Sequence, residues 1–328
     1  MLYIHIGLHK TGSTFLQFCL DANRTRMAEL GYAYPDIADV PYYRFQHVAV
    51  VRAIESGDVE GPARIVRDGF AAAPNVVLSA ERFSPISARH EETLARWLDL
   101  CRRDGQGVKA IVYVRRQDLY AQSLYRHAVR APETRLTLTF REFLEQRPPR
   151  LDYWKLLKPW HRLVGPGNLI VRPYERGQWK HADLLADFLH EIGADADARL
   201  EIPQSAANRS YNAQMVEFLR LTNPRRDEAA QRRFLPLVEA SAPEDLVFEA
   251  RGAGSSYFSP EEQRAFMAGF EETNQLIATR WLERDDGRLF RDPLDDADRR
   301  PDLSDAAMRE LQARLARSAI GVQLAHAG

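Results

Sequence analysis

Over the first two hundred positions the apolar residues keep two rhythms in turn, one of strand period and one of helix period, and their order predicts the fold. Leu2 to Ile6 alternates as a short strand and breaks at Gly7. A helical pattern opens at Phe15, Leu16, Cys19 and Leu20; it is predicted to run from about Ser13 to Leu30 and to stop at Gly31. Asn75–Ser79 and residues 109–114 are unbroken apolar runs, the form a strand takes when both its faces are covered, and residues 168–171 are a fourth. Between these runs, Leu94, Trp97, Leu98 and Cys101 mark one helix, and Leu184, Leu185, Phe188, Leu189 and Ile192 mark another that ends at Gly193. Strands alternating with helices predict right-handed crossovers and a parallel sheet of four or five strands flanked by helices, an α/β fold.

The later part of the chain loses the strand rhythm. Residues 117–162 read as helical with a break at Pro148-Pro149. From about residue 205 the pattern is helical and highly charged, and the runs Arg225-Arg226-Asp227-Glu228 and Arg232-Arg233 read as solvated faces. Ser259-Pro260-Glu261-Glu262 is a helix start, expected to launch one stripe of Phe266, Phe270, Ile277 and Trp281; a last helix from about Ser304 carries Met308, Leu311 and Leu315. No repeat or linker divides the chain. A single domain over 1–328 is therefore expected, with an α/β core in 1–200 and a helical C-terminal extension in 201–328.

Composition adds bounds rather than direction. With 328 residues, 45% hydrophobic and 28% charged, the chain has the makeup of a globular protein with a sizeable core. Its formal net charge of −1 offers no general attraction to nucleic acid or to an anionic membrane, so anions must be bound by local groups and no nucleic-acid partner is expected. No apolar run approaches the roughly 18 to 20 residues of a membrane span, and a strand beginning at residue 2 leaves no room for a signal peptide, so the expected location is cytoplasmic. Cys19 and Cys101 fall on apolar helix faces and are expected as buried thiols, neither a disulfide nor a metal site.

Chemistry gathers where the apolar runs end. After the first run comes a Gly/Lys/Ser/Thr loop and then a helix, whose N-terminus offers unpaired N–H groups and the positive end of its dipole to an anion. Gly7 and Gly12 have the spacing of a nucleoside-triphosphate loop, but Lys10 stands two residues before Gly12 instead of directly after it. The third run exits into Arg115-Arg116, where a magnesium-dependent nucleotide enzyme would often place an aspartate, and a guanidinium there can take a phosphate without a metal. The second run delivers Ser79, Ala80, Glu81 and Arg82, and the fourth delivers Arg172, Pro173, Tyr174 and Glu175, to the sheet edge at which α/β proteins bind ligands.

The segment His9-Lys10-Thr11-Gly12-Ser13-Thr14 resembles the 5′-phosphosulfate-binding loop of sulfotransferases that use 3′-phosphoadenosine-5′-phosphosulfate (PAPS), in which a Lys-x-Gly-Thr/Ser-Thr run follows the first strand. Arg115 and Ser123, eight positions on, resemble the 3′-phosphate-binding segment of that family. Tyr174-Glu175 is similar to its Tyr-Glu-Asp segment, with Arg176 in place of the usual aspartate. The likeness spans roughly residues 1 to 195 and is nearest to bacterial-type and carbohydrate-directed members; beyond it only Asn274 and Leu289-Phe290 match in style. It implies a P-loop-like sheet, PAPS as co-substrate with adenosine 3′,5′-bisphosphate (PAP) as product, no required metal, and a C-terminal part shaping the acceptor cleft. Lys10 would stabilise the departing phosphate, Thr11, Gly12, Ser13 and Thr14 would supply backbone and hydroxyl donors, and Phe15 would lie against adenine. Arg115 and Ser123 would bind the 3′-phosphate, Tyr174 would lie near adenine, and Arg209 would add a phosphate contact.

An acceptor hydroxyl needs a general base. Glu81 is the first choice, because carbohydrate-directed sulfotransferases use a glutamate; an ion pair with Arg82 or another arginine is its structural alternative. His47 is the second, since the small-molecule branch uses histidine; it sits in an aromatic segment with Tyr32, Tyr34, Pro35, Pro41, Tyr42, Tyr43 and Phe45. That segment reads equally as a flap over the sheet edge or as a wall for a sugar or aromatic acceptor. The expected activity is sulfuryl transfer to a hydroxyl of a glycan or glycolipid. Transfer to a small alcohol or phenol, an atypical ATP-dependent kinase and a non-catalytic nucleotide-binding protein are the alternatives.

Overall fold

The computed structural model describes residues 1–37, 45–103, 105–146, 151–194, 200–203, 211–241 and 255–317. Five parallel strands form one sheet: β1 (Leu2–His5), β2 (Tyr32–Ala33), β3 (Asn75–Ser79), β4 (Val108–Val114) and β5 (Leu169–Pro173), in the order β2-β3-β1-β4-β5. β1 is the centre, its Ile4 opposite Leu78 on one side and Ala110 on the other. Every residue of β1 is buried, which is why four alternating residues suffice to seat it. The strand exits therefore line up along one edge, with the β1 loop between those of β3 and β4.

Helices fill the crossovers: α1 (Ser13–Ala22), α2 (Arg24–Glu29), α3 (Val48–Glu55), α4 (Glu60–Ala72), α5 (Phe83–Arg89), α6 (Glu91–Arg102), α7 (Gln117–Arg130), α8 (Phe140–Glu145), α9 (Tyr153–Val164) and α10 (Leu184–Ile192). Leu16, Cys19 and Leu20 of α1 share one apolar cluster with Leu184, Leu185, Phe188, Leu189 and Ile192 of α10 and with Tyr3, Val77, Ile111 and Tyr113 of the sheet. Beneath it, Asp187 is fully buried and accepts from Tyr113 Oη (2.8 Å), Arg172 Nη2 (2.5 Å) and the Lys180 N–H (2.8 Å), so α10 is tied to β4 and β5 by charge as well as by packing. Cys19 and Cys101 are free and buried, and burial pushes both thiols up, to about 11 and about 12.

Three elements differ from expectation. The first helix breaks at Asn23, whose Nδ2 donates to the Cys19 carbonyl (2.7 Å) and to Glu201 O (2.8 Å), a side chain competing with the backbone ladder. β2 falls in the aromatic segment, where Tyr32 and Ala33 pair with Asn75 and Val76. The expected stripe from Phe266 to Trp281 is two helices, Pro260–Ala268 and Glu271–Trp281, separated at Gly269; Phe266 packs on Phe258 (5.0 Å), whereas Trp281 stacks on Trp154 (4.7 Å). The start of the former is the expected capping box, Ser259 Oγ accepting from Glu262 N at 3.1 Å.

The chain divides into two compact units, and the division does not follow residue 200. The first is Met1–Arg116, Asp152–Ala207 and Phe270–Asp292 and holds the sheet; the second is Gln117–Leu151, Asn208–Gly269 and Pro293–Gly328. Its described elements are helical: α7, α8, α11 (Ala213–Thr222), α12 (Glu228–Ser241), Pro260–Ala268 and Asp305–Arg317. Tyr125, Phe140, Tyr257 and Phe258 form its aromatic centre. Pro41, Tyr42, Tyr43, Pro148, Pro149 and Arg209 lie outside the described residues.

Candidate functional site

The loop from β1 to α1 is built to turn sharply under glycine control. Lys10 and Gly12 both take left-handed backbone, φ 65° and 78°. For Gly12 this is free of steric cost, and a Cβ there would run into Leu184 and stand 3.2 Å from the Tyr174 ring. For Lys10 it carries strain of about 1–2 kcal/mol, the kind of backbone outlier that clusters at functional loops. The loop underside is just as close-fitting: a Cβ at Gly7 would lie 2.5 Å from Ser13 Oγ and 3.3 Å from His5 Cε1.

Two hydroxyls expected to face a ligand face the loop instead. Thr11 Oγ1 donates to the Leu8 carbonyl at 2.7 Å and Ser13 Oγ to the same carbonyl at 3.1 Å, and both residues are buried. They spend their hydrogens on shaping the turn. Thr14 differs: it is half-buried, and among the described residues its hydroxyl makes no hydrogen bond within the chain. At the head of α1, Gly12 provides no side-chain cap and the first turn holds no acidic residue, so the N–H groups and the positive dipole end are uncompensated by the helix itself.

The β4 exit separates its two arginines by task. Arg116 is buried and donates to the Asp292 carbonyl at 2.8 Å, holding a returning segment of the chain. Arg115 is half-buried; its Nη1 donates to the Lys10 carbonyl at 3.3 Å and its guanidinium lies 5.9 Å from the centre of the Tyr174 ring. The lysine loop, the β4 arginine and the aromatic ring at the β5 exit are thus brought together. Tyr174 is backed by Trp179 at 4.9 Å, and Phe15 is half-buried against the apolar cluster. Glu175, buried, accepts from the Arg291 N–H (2.8 Å), the Asp292 N–H (3.3 Å) and Gln178 Nε2, so the Tyr-Glu pair anchors the segment that follows Leu289-Phe290. Ser123 lies on α7 in the second unit, half-buried, and Asn274 is buried on Glu271–Trp281 in the first.

At the β3 exit, Glu81 pairs with no arginine among the described residues. Arg82 reaches Glu55 instead (2.6 Å), and Glu81 Oε2 lies 2.5 Å from His9 Nδ1, the residue just before Lys10. Sequence reasoning put His9 in the loop after β1 and Glu81 at the exit of another strand, and did not join them. Behind the loop is a second polar group that it missed: Ser79 Oγ lies 2.8 Å from His5 Nδ1 and accepts from Gln17 Nε2 at 3.0 Å, while His5 Nε2 and Gln17 Oε1 are buried with no hydrogen-bond partner among the described residues. Burial drops His5 to about 4, against a smaller upward pull from Glu81.

His47 belongs to this buried group and corrects an expectation. It is 1% exposed, its Nδ1 accepts from the Ser79 N–H at 3.0 Å, its Nε2 lies 3.0 Å from the Pro35 carbonyl, and burial lowers it to about 4. Neither nitrogen is left for an acceptor proton, so a reaction with His47 as base is dropped. Tyr34, packed edge-on to His47 and donating to Phe45 O (2.6 Å), makes the described part of the aromatic segment packing rather than an open wall.

Among the described residues no group of three or more His, Cys, Asp or Glu is placed to hold a metal ion, and no helix is long and apolar enough to cross a membrane. No protein-family model matches the sequence. An uncharacterised protein of Archaeoglobus fulgidus is 28% identical over 172 residues, 52% of this chain and 44% of the relative, so the chain spans less than half the length of that relative. Among solved structures, a sulfotransferase from Alicyclobacillus acidocaldarius aligns over 70% of this chain and 98% of its own, with 18% identity and a TM-score of 0.36.

Proposed function

We propose that this chain is a sulfotransferase that moves the sulfuryl group of PAPS to a hydroxyl, of a glycan or glycolipid as first choice. The observation that carries the reading is the hydrogen bond from Arg115 to the carbonyl of left-handed Lys10, beside a helix start with neither cap nor acidic residue. Two cations and a set of open N–H groups meet there, and the β4 exit supplies arginines where a metal-holding aspartate would otherwise stand. Such a donor set suits a nucleotide whose two phosphate ends are both anionic, and it needs no metal between protein and phosphate.

In this reading Lys10, the first-turn N–H groups and the Thr14 hydroxyl hold the 5′-phosphosulfate end, and Arg115 holds the 3′-phosphate. Tyr174 lies along the base. Thr11 and Ser13 set the loop's shape. Charge in sulfuryl transfer spreads over the equatorial oxygens and builds on the departing phosphate, so positioning and charge neutralisation carry most of the rate, Lys10 foremost. Glu81 and its partner His9 supply the base on the acceptor side.

The test is transfer of label from sulfur-35 PAPS to a panel of sugar, glycolipid and simple alcohol acceptors with a metal chelator present. Labelled ester from a glycan acceptor is expected. No labelled product from any acceptor, together with phosphate transfer from ATP and Mg²⁺, would replace this reading with the kinase one.

A further inference from the structure

We propose that His9 is the group that takes the acceptor's proton, with Glu81 as the positioning residue that grips its Nδ1; this deepens, and rests on, the sulfotransferase reading. The two side chains are 2.5 Å apart, His9 Nδ1 to Glu81 Oε2, and among the described residues neither has another side-chain partner. Glu81 is the more enclosed, 18% exposed against 34% for His9. The carboxylate therefore stands behind the ring and the ring stands at the edge. Chain position agrees, because His9 immediately precedes Lys10 and the pair bridges the exits of the adjacent strands β1 and β3.

The chemistry favours the imidazole over the carboxylate. The imidazole offers a second ring nitrogen to a substrate while the first faces the carboxylate, whereas the Glu81 carboxylate is already engaged by the ring. With Nδ1 against the Glu81 carboxylate, Nε2 is the nitrogen left to take the acceptor's proton, and the imidazolium so formed is stabilised by the carboxylate the ring already touches. Among the described residues, the charged groups near the pair are Lys10 of the same loop, Arg115 bound to the Lys10 carbonyl and Arg82 held by Glu55, and the neutral His5 of β1 feels the Glu81 charge. His5 and His47 are buried, so His9 is the histidine of these three that an acceptor can reach.

The step balances within the proposed reactants. The acceptor oxygen forms a bond to sulfur as its proton passes to His9 Nε2; the bond from sulfur to the 5′-phosphate oxygen breaks, and its electron pair leaves with the phosphate beside Lys10.

The decisive comparison is between His9→Asn, which keeps a donor toward Glu81 but has no Nε2, and Glu81→Gln, which keeps the contact but removes the charge. For His9→Asn we expect kcat down by about 10²–10⁴-fold, PAP affinity by calorimetry within about twofold of wild type, and loss of the acid limb of the kcat/KM–pH profile. Glu81→Gln should lower kcat less and keep an acid limb. If the limb survives in His9→Asn and vanishes in Glu81→Gln, the carboxylate is the base and this inference falls while the sulfotransferase reading stands. If wild type neither binds PAP nor transfers sulfate, both fall together.

Discussion

The floor and the rim of the β1 loop use the same residue types to opposite ends. On the floor, His5, His47, Ser79, Gln17, Thr11 and Ser13 are buried and bonded to one another or to the backbone. On the rim, His9, Lys10, Thr14 and Arg115 are partly or largely open. A histidine on the floor is held neutral by desolvation, and a hydroxyl there is consumed by a carbonyl; a histidine on the rim is braced by a carboxylate, and a hydroxyl there is uncommitted. Residue type alone therefore does not assign chemistry at this edge. What decides is burial: the floor side chains are enclosed and spend their polar atoms on each other or on backbone, while those of the rim stand partly open.

The comparison can be broken most severely from the floor by acid. His5 and His47 sit at about 4 in the folded chain and near the ordinary 6.5 when unfolded, so the unfolded state takes up more protons as pH falls. Their contribution is whole above pH 6.5 and is lost toward pH 4, at roughly 2 kcal/mol each between pH 6.5 and 5. Urea unfolding at pH 7 and pH 5 should show a drop of about 4 kcal/mol, reduced in His47→Gln; equal stability at the two pH values would mean that these rings are not held neutral.

On the rim, Lys10→Ala should cut transfer by about 10²–10³-fold, some 2.7–4 kcal/mol, while largely sparing PAP affinity, and unchanged turnover would remove Lys10 from the leaving group. Arg115→Ala should weaken PAP by about 1.5–3 kcal/mol by calorimetry, and unaltered affinity would move the 3′-phosphate elsewhere. The sharpest and smallest contrast is between two threonines. Thr11→Val removes a buried hydrogen bond and should cost about 1 kcal/mol of stability, whereas Thr14→Val should leave stability alone and cost a similar amount of PAP affinity. The same effect from both substitutions would erase the distinction between floor and rim.

Four of the five strands could be read directly: β3 and β4 because a strand covered on both faces is a short unbroken apolar run, β5 as a shorter run of the same kind, and β1 from its alternation up to Gly7. β2 could not, being two residues long and seated only by its pairing with β3. The break in the first helix was hidden for a similar reason: the Asn23 amide that makes it is fixed by Glu201, 178 positions away. Spacing and strand ends singled out Lys10, Gly12 and Arg115, which the fold brings to one edge. The His9–Glu81 pair was not singled out, since neither flanking motif contains both members, and the inward turn of the Thr11 and Ser13 hydroxyls depends on where a single carbonyl, that of Leu8, points. The two-unit division also escaped, because residues 117–151 look like any helical crossover yet cluster with 208–269 and 293–328.

The central claim is that this loop and Arg115 hold a nucleotide with a 3′-phosphate and need no metal to do so. Calorimetric titration of the purified chain with PAP, in chelator, against a parallel titration with ATP and Mg²⁺, addresses it directly. Micromolar PAP binding with ATP far weaker is the predicted result; binding of ATP with Mg²⁺ and no heat from PAP would contradict it.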